Sequence, residues 1–333
     1  MKGRRIAFVR KGIAELEEYE IPPLHPDEVL IEMDYSVVSA GTEKACLLDL
    51  PNVFHTWPKY LGYSGSGRIT AVGAEASDFA VGDRVLADHL GHRSHAVAKF
   101  VRNGNGFFKI TENVKQLEAA FVVIGSMGVG GVRKLKIQLG ESVMVTGLGI
   151  LGLFAVQAAN LSGGLPVVAV DFDGRRCEIA KRLGADYALA PDASFRDTIR
   201  EITGGRMVNA NVEVTGSSRA LLQALEVAAW EGRISLTGCT RVSDTPIDYY
   251  KLVHRPGVQL IGAHNFVRPR EDSYPGYWTR HDDFKTILGF MANGKMTAAP
   301  LVSEVVSPEG AKEIYSRLAA DELPLGTVFD WHK

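Results

Sequence analysis

Residues 141–186 read ESVMVTGLGILGLFAVQAANLSGGLPVVAVDFDGRRCEIAKRLGAD, and the order of features in this stretch decides the fold. Val143-Met144-Val145 is a short apolar run of the kind a strand buried on both faces needs. Gly147-Leu148-Gly149-Ile150-Leu151-Gly152 follows directly as G-x-G-x-x-G. Leu153, Phe154, Val156 and Leu161 then carry a helix, and Val167-Val168-Ala169-Val170 is a second apolar run ending in Asp171. In that setting each glycine has its own task. Gly147 allows a tight turn, Gly149 lets the backbone approach a pyrophosphate, and Gly152 lets the helix lie close on the strand. The helix start at Ile150 and Leu151 offers unpaired N–H groups and the positive end of a dipole to phosphates. Asp171 stands nineteen residues beyond Gly152, where an acid accepts the adenosine ribose hydroxyls. A carboxylate repels a 2′-phosphate, so Asp171 favours NAD over NADP. Arg175 and Arg176 weaken that preference, because arginine binds phosphate well.

The same alternation continues downstream. Arg175–Leu183 reads as a helix closed by Gly184. Asn211–Gly216 is a strand and turn, Ser218–Ala229 a helix, and Arg233–Gly238 and Val258–Gly262 two further strands. Strand and helix in turn over this length give a doubly wound parallel sheet. Ligands of such sheets sit at the carboxyl ends of the strands. That puts Thr215, Thr237, Gly238, Cys239, Ala263 and His264 beside a bound dinucleotide.

Upstream the texture differs. Arg5–Val9 and Glu28–Met33 read as strands, Pro58–Ile69 as a glycine-rich entry to another and Gly82–Leu86 as a turn into a further one, with Gly and Pro at short intervals, the pattern of a small barrel-like β domain. Gln116–Gln138 is a longer amphipathic stretch leading to the nucleotide unit. Beyond residue 264, Asp282–Ala292 and Ala311–Ala319 are helical and Leu325–Trp331 is a terminal strand. The reading is a β domain of residues 1–123 and 265–333 with a dinucleotide-binding domain, 124–264, inserted in it.

Composition narrows the function classes. The chain has 333 residues, 46% hydrophobic, with a net charge of −2 and no long basic run, which argues against nucleic acid or a membrane surface as partner. No apolar run reaches membrane-spanning length, and MKGRRIAFVRKG lacks the apolar core of a signal peptide. Cys46, Cys177 and Cys239 are scattered and odd in number, which suits a reducing cytoplasm.

Taken together, Ser39-Ala40-Gly41-Thr42-Glu43, Gly62-Tyr63-Ser64-Gly65-Ser66-Gly67, Gly82-Asp83-Arg84-Val85, the glycine fingerprint and Leu183-Gly184-Ala185-Asp186 resemble the medium-chain dehydrogenase/reductase superfamily over nearly the whole chain. The resemblance implies a Rossmann domain inserted into a GroES-like β-barrel domain, a small-molecule substrate and a homodimer. It also implies that Arg176 helps hold the adenosine ribose. Zinc-dependent members carry a cysteine where this chain has Ala40, a histidine where it has Tyr63, and a cysteine or acid near Val122. None of these three is a zinc ligand. The cysteine-rich lobe of the structural zinc is also missing, since Asp88–Lys99 holds no cysteine. The expectation is therefore an enzyme without catalytic zinc. Ala40-Gly41-Thr42-Glu43, Leu61-Gly62-Tyr63 and Val328-Phe329-Asp330-Trp331 resemble the branch near bacteriochlorophyllide hydroxyethyl dehydrogenases and sugar-pathway oxidoreductases.

The resemblance implies hydride transfer between a secondary alcohol and NAD, with a sugar or cyclitol derivative as substrate. Without a metal, a side chain must steady the substrate oxygen as its proton leaves. Tyr63 is the candidate, with Thr42 or Lys44 assisting. A nearby cation such as Lys44 would lower the phenol from its ordinary value of about 10. Packing alone is the competing role for Tyr63. His89, His92 and His95 have spacing open to metal binding, but their polar, glycine-containing loop favours solvated or hydrogen-bonded roles. Two other functions stay open: a reductase of activated C=C bonds or quinones using NAD(P)H, and a nucleotide-binding protein without catalysis.

Overall fold

The computed structural model describes residues 1–333. The chain forms β1 (Lys2–Arg10), β2 (Ile13–Glu20), β3 (Glu28–Val37), α1 (Ala40–Leu47), β4 (Ser64–Val72), β5 (Arg84–Asp88), β6 (His95–Lys99), β7 (Gly106–Lys109), α2 (Gln116–Ala119) and α3 (Val122–Lys134). It continues as β8 (Val143–Thr146), α4 (Ile150–Leu161), β9 (Val167–Val170), α5 (Gly174–Arg182), β10 (Tyr187–Leu189), α6 (Phe195–Ile202), β11 (Val208–Glu213), α7 (Ser218–Glu226), β12 (Ala228–Leu236) and β13 (Gln259–Gly262). α8 (Arg280–Ala292), β14 (Glu304–Val306), α9 (Ala311–Ala319) and β15 (Thr327–Asp330) complete it. Two compact units result: Met1–Ile124 with Arg280–Lys333, and Gly125–Thr279.

In the first unit β14, β15, β3, β4, β5 and β7 lie side by side, with β6 also paired to β3. Irregularities in the β3–β4 register, at Leu30/Ile31 and Met33/Tyr35, bend these strands. β1 and β2 form a separate hairpin, turned at Lys11-Gly12 with Gly12 in the left-handed region. The core beneath joins Ile6, Phe8, Ile31 and Ile69 to Tyr315, Phe329 and Trp331 from the far end of the chain. β2 is absent from the sequence reading because IAELEEYE is too acidic to stand out as a strand.

The second unit is a parallel sheet in the order β10-β9-β8-β11-β12-β13. Every residue of β8 and β9 is buried, as their unbroken apolar runs require. From β8 the chain winds outward to β9 and β10, then returns to β11 on the opposite side. The point where the winding reverses, between β8 and β11, is where such sheets bind ligands. The fold class is thus the one expected, a doubly wound sheet accompanied by a β domain.

Residues 265–279 fall in the second unit, whereas the sequence reading joins them to the first. Side-chain contacts explain the difference. The Arg268 guanidinium donates to the Ser126 carbonyl at 2.6 Å. Arg133 lies 3.9 Å from the centre of the Trp278 ring, and Lys134 4.9 Å from that of Tyr277. These cation–ring contacts tie the segment to α3. No helix is long and apolar enough to cross a membrane.

Candidate functional site

In the second unit the glycine turn closes as its sequence demands. Gly147 has φ +95°, in the region that favours glycine. A Cβ on Gly152 would lie 1.8 Å from the Gly147 carbonyl oxygen, so only glycine lets α4 begin there. A Cβ on Gly149 would meet no atom within 4 Å. The backbone is therefore open on that side, and α4 starts without a side-chain cap on its free N–H groups. These are the properties an incoming diphosphate needs.

Asp171 is fixed from two directions. Its Oδ2 accepts the Leu148 N–H at 2.7 Å and its Oδ1 accepts the Asp173 N–H at 2.9 Å. Each oxygen keeps a lone pair for a ribose hydroxyl. Arg176 stands 3.8 Å from Asp171 and 3.7 Å from Asp173, so in this state it serves the acids. Asp173 also caps α5, accepting from the N–H groups of Arg175 and Arg176.

The other predicted contacts gather at the carboxyl ends of β11, β12 and β13. A Cβ on Gly147 would lie 2.7 Å from Thr215 Cγ2, so that side chain rests on the turn. The N–H groups of Thr237 and Gly238 both donate to the Glu213 carbonyl at 2.9 Å. A Cβ on Gly216 would lie 2.5 Å from the Cys239 carbonyl oxygen, which draws those two loops together. Ala263 N–H bonds to the Leu236 carbonyl, and His264 Nδ1 accepts the Phe266 N–H. One organiser escaped the sequence reading. The Glu213 side chain accepts the Thr215 N–H at 2.8 Å, the Thr215 hydroxyl, and the Gly216 N–H. Burial raises its carboxyl above the ordinary range. The signal lay in Glu213-Val214-Thr215-Gly216, an acid at a strand end just before a turn.

The first unit holds the predicted catalytic residues. Tyr63 is half-buried, with its hydroxyl 2.6 Å from Ser39 Oγ, and Thr42 also hydrogen-bonds it. Burial pushes this phenol far above its ordinary range, and the Glu43 carboxylate acts in the same direction against the bonds from Ser39 and Thr42. This corrects the expectation of a phenol lowered by Lys44. The Lys44 ammonium is instead 2.5 Å from Asp321, so the structure joins Tyr63 to Ser39 and Thr42 and gives Lys44 another partner. Ser64 holds backbone, donating to the Ala120 carbonyl at 2.6 Å and accepting the Ile124 N–H at 3.1 Å.

Under this cluster lies Glu43, fully buried. It accepts the Ser39 N–H at 2.8 Å and the Tyr315 hydroxyl at 2.7 Å, and both its oxygens are 3.1 Å from His92 Nε2. His92 Nδ1 meets Ser36 Oγ at 2.7 Å, and Trp331 donates to the same oxygen. The three loop histidines therefore part company. His92 joins Glu43, His95 Nδ1 meets Ser94 Oγ, and His89 Nδ1 meets Asp88.

A zinc of the family kind does not fit these residues. Ala40 and Val122 have no donor atom, and the Tyr63 phenol resists ionisation and is bonded to Ser39. No three His, Cys, Asp or Glu side chains are grouped to hold a metal.

Comparison with known proteins follows the same division. Residues 25–135 match the alcohol dehydrogenase GroES-like domain, and residues 151–291 match the zinc-binding dehydrogenase domain. The chain is 26% identical to D-guloside 3-dehydrogenase of Escherichia coli K12 over 98% of its length and 100% of the relative's. Galactitol-1-phosphate dehydrogenase from Escherichia coli has the same fold, with TM-score 0.84 and 20% identity over 98% of this chain and 99% of that one. A Sinorhizobium meliloti 1021 protein solved with NADP bound also shares it, with TM-score 0.82 and 18% identity over 99% of each chain.

Proposed function

Because the chain belongs to the medium-chain, zinc-type alcohol dehydrogenase-like family, we propose that it is an NAD-dependent oxidoreductase that interconverts a secondary alcohol and a ketone without zinc. A sugar or cyclitol derivative is the substrate class, supported by its similarity to D-guloside 3-dehydrogenase. The observation that carries the reading is Asp171, held by the Leu148 and Asp173 N–H groups beside the open backbone of Gly149. A bound nicotinamide dinucleotide supplies the hydride acceptor or donor. Gly147, Gly149, Ile150, Leu151 and Gly152 seat its diphosphate, and Asp171 with Arg176 its adenosine ribose. Thr215, Thr237, Gly238, Cys239, Ala263 and His264 line its nicotinamide end. Tyr63, as a neutral phenol, joins Ser39 and Thr42 in hydrogen-bonding the substrate oxygen. Zinc independence is supported by the absence of donor atoms at Ala40 and Val122.

Titration of the purified protein with NADH and NADPH, followed by nicotinamide fluorescence, tests the cofactor. The expected preference for NADH is about tenfold or more, a difference of about 1.4 kcal/mol. A preference for NADPH points instead to reduction of activated C=C bonds or quinones. A screen of sugars, polyols and cyclitols with NAD tests the reaction, and binding without any turnover points to a non-catalytic nucleotide-binding protein. Turnover that follows zinc content, or is abolished by a chelator, contradicts the metal-free chemistry.

A further inference from the structure

The end of β5 carries a second cluster that these roles do not use. Asp88 is 1% exposed, and its Oδ1 accepts from Arg280 Nη2 at 2.5 Å and lies 2.6 Å from His89 Nδ1. Arg280 opens α8 and also donates to Asn105 Oδ1 at 2.7 Å. His89 is held in an unusual conformation. Its φ is +60°, uncommon for a residue with a Cβ and costing about 1–3 kcal/mol. Its N–H donates to the Tyr63 carbonyl at 3.2 Å, and its ring stacks on the Tyr63 ring with centroids 5.3 Å apart.

The donors and acceptors settle where the imidazole carries its proton. The Asp88 carboxylate only accepts and the Arg280 guanidinium only donates. Arg280 Nη2 also lies 3.0 Å from His89 Nδ1, but the closer contact, 2.6 Å to an oxygen that can only accept, requires the hydrogen on the ring nitrogen, and Arg280 donates to that same oxygen at 2.5 Å. Nε2 is left with its lone pair and makes no hydrogen bond, on a side chain about one-third exposed. Among the other histidines of the first unit, His55 also rests Nδ1 on a carboxylate, 3.0 Å from Asp49, but its side chain is 61% exposed, whereas His89 stacks on Tyr63. His92 has both nitrogens engaged and is 1% exposed. The His281 Nδ1 accepts the Asn103 N–H, and its ring packs on Phe108 and Phe284.

We propose that His89 Nε2 is the acceptor of the substrate's hydroxyl proton, with Asp88 and Arg280 as positioning residues. This rests on the secondary-alcohol reading above. In the oxidative direction the O–H bond breaks and its proton passes to Nε2. The freed electron pair on oxygen forms the carbonyl, and the neighbouring C–H pair leaves as hydride to NAD. The products are a ketone, reduced dinucleotide and an imidazolium, which returns the proton to solvent or, in reverse, to the ketone oxygen. The groups facing that imidazolium are Asp88 from β5, Arg280 from α8 and the neutral Tyr63, with His281 next to Arg280. Tyr63 is unsuited to take the proton itself, because burial holds its phenol protonated.

The test uses the full chain and His89→Asn, chosen because asparagine tolerates left-handed backbone. Nitrogen-15 NMR of histidine-labelled protein, without cofactor, should show the Nδ1–H tautomer for the signal missing in His89→Asn. In Asp88→Asn that preference should be lost. An Nε2–H tautomer in the wild type overturns the proposal, since that nitrogen then has no lone pair to offer. On an alcohol that the wild type oxidises, His89→Asn should lower kcat by about 10²–10⁴-fold, leave NADH affinity unchanged, and remove the acidic limb of the pH–rate profile. An unchanged kcat and profile in a folded His89→Asn overturns the proposal while leaving the oxidoreductase reading intact. A wild type that binds NADH but oxidises no alcohol overturns both.

Discussion

Replacing Glu43 by glutamine removes a charge from the interior of the first unit and changes almost no volume. The carboxylate accepts from Ser39 N–H and Tyr315 Oη and stands 3.1 Å from His92 Nε2 through both oxygens. Burial acts to raise its pKa, but the adjacent His92, with the bonds from Ser39 and Tyr315, outweighs that and holds the carboxyl below the ordinary carboxylate range. Removing one partner of a buried pair costs about 3–5 kcal/mol. Glutamine keeps one acceptor oxygen for Ser39 or Tyr315, so the lower end, about 3 kcal/mol, is expected. In a unit of this size each kcal/mol moves Tm by about 2–4 °C, which gives a fall of about 6–12 °C. Circular dichroism melting of both proteins at neutral pH measures it. The pH dependence adds a second check. A carboxyl depressed by folding contributes stability that is present above its unfolded pKa and lost as pH falls through its folded value. The wild type therefore loses this advantage on acidification and the gap to Glu43→Gln narrows. A variant melting within about 1 °C of the wild type, against the pair cost above, or a gap that widens in acid, refutes the account.

Two further perturbations bear on the fold and the cradle. Burial lowers the His281 pKa from 6.5 to about 4 against the raising influence of Asp88. Its neutral form thus contributes stability in full above the unfolded pKa, and about 2–3 kcal/mol is lost as pH falls from there through about 4. Urea midpoints should show a shallower acid loss in His281→Phe, and identical slopes contradict the assignment. Gly152→Ala and Gly149→Ala should behave differently. The first forces a Cβ against the Gly147 carbonyl, lowering stability by about 1–3 kcal/mol along with NADH affinity. The second meets no atom and should melt normally while weakening NADH alone. Melting and NADH fluorescence of the pair decide, and equal losses of stability rule out the distinction.

What the sequence made readable depended on distance along the chain. β8, α4 and β9 were legible because their periodicity and glycines act within one continuous stretch, and each glycine's spacing names its contact. The Glu213 staple is also local, but an acid at a strand end has many possible duties and only geometry selects one. Of the cluster around Tyr63, the pairing with Thr42 was legible, but Ser39 was not singled out, Lys44 was placed there instead, and the electrostatics were not readable. Thr42 sits one helical turn from Ser39, whereas the burial that raises the phenol arises from the folded environment. Lys44 turned to Asp321, and Tyr315 reached Glu43, across spans that no local pattern encodes. The Asp88–Arg280 pair is separated by 192 positions, which is why His89 read only as one of three loop histidines open to metal binding or hydrogen-bonded roles.

The composition of the first unit's core has a consequence for biosynthesis. Tyr315, Phe329 and Trp331 fill the same interior as Ile6, Phe8 and Ile31, and β15 pairs with β3. A ribosome releases β3 long before it makes β15. The nascent first unit must therefore wait, with part of its interior uncovered, while all of the second is synthesised. The second unit is contiguous in sequence and needs no later segment to complete its sheet, so it can fold during that wait. The order of folding in vivo thus runs opposite to the order in which the two units begin. A stall or truncation after residue 279 would leave a finished nucleotide unit joined to an unfinished partner exposing apolar strand surface, the kind of chain that chaperones and proteases recognise.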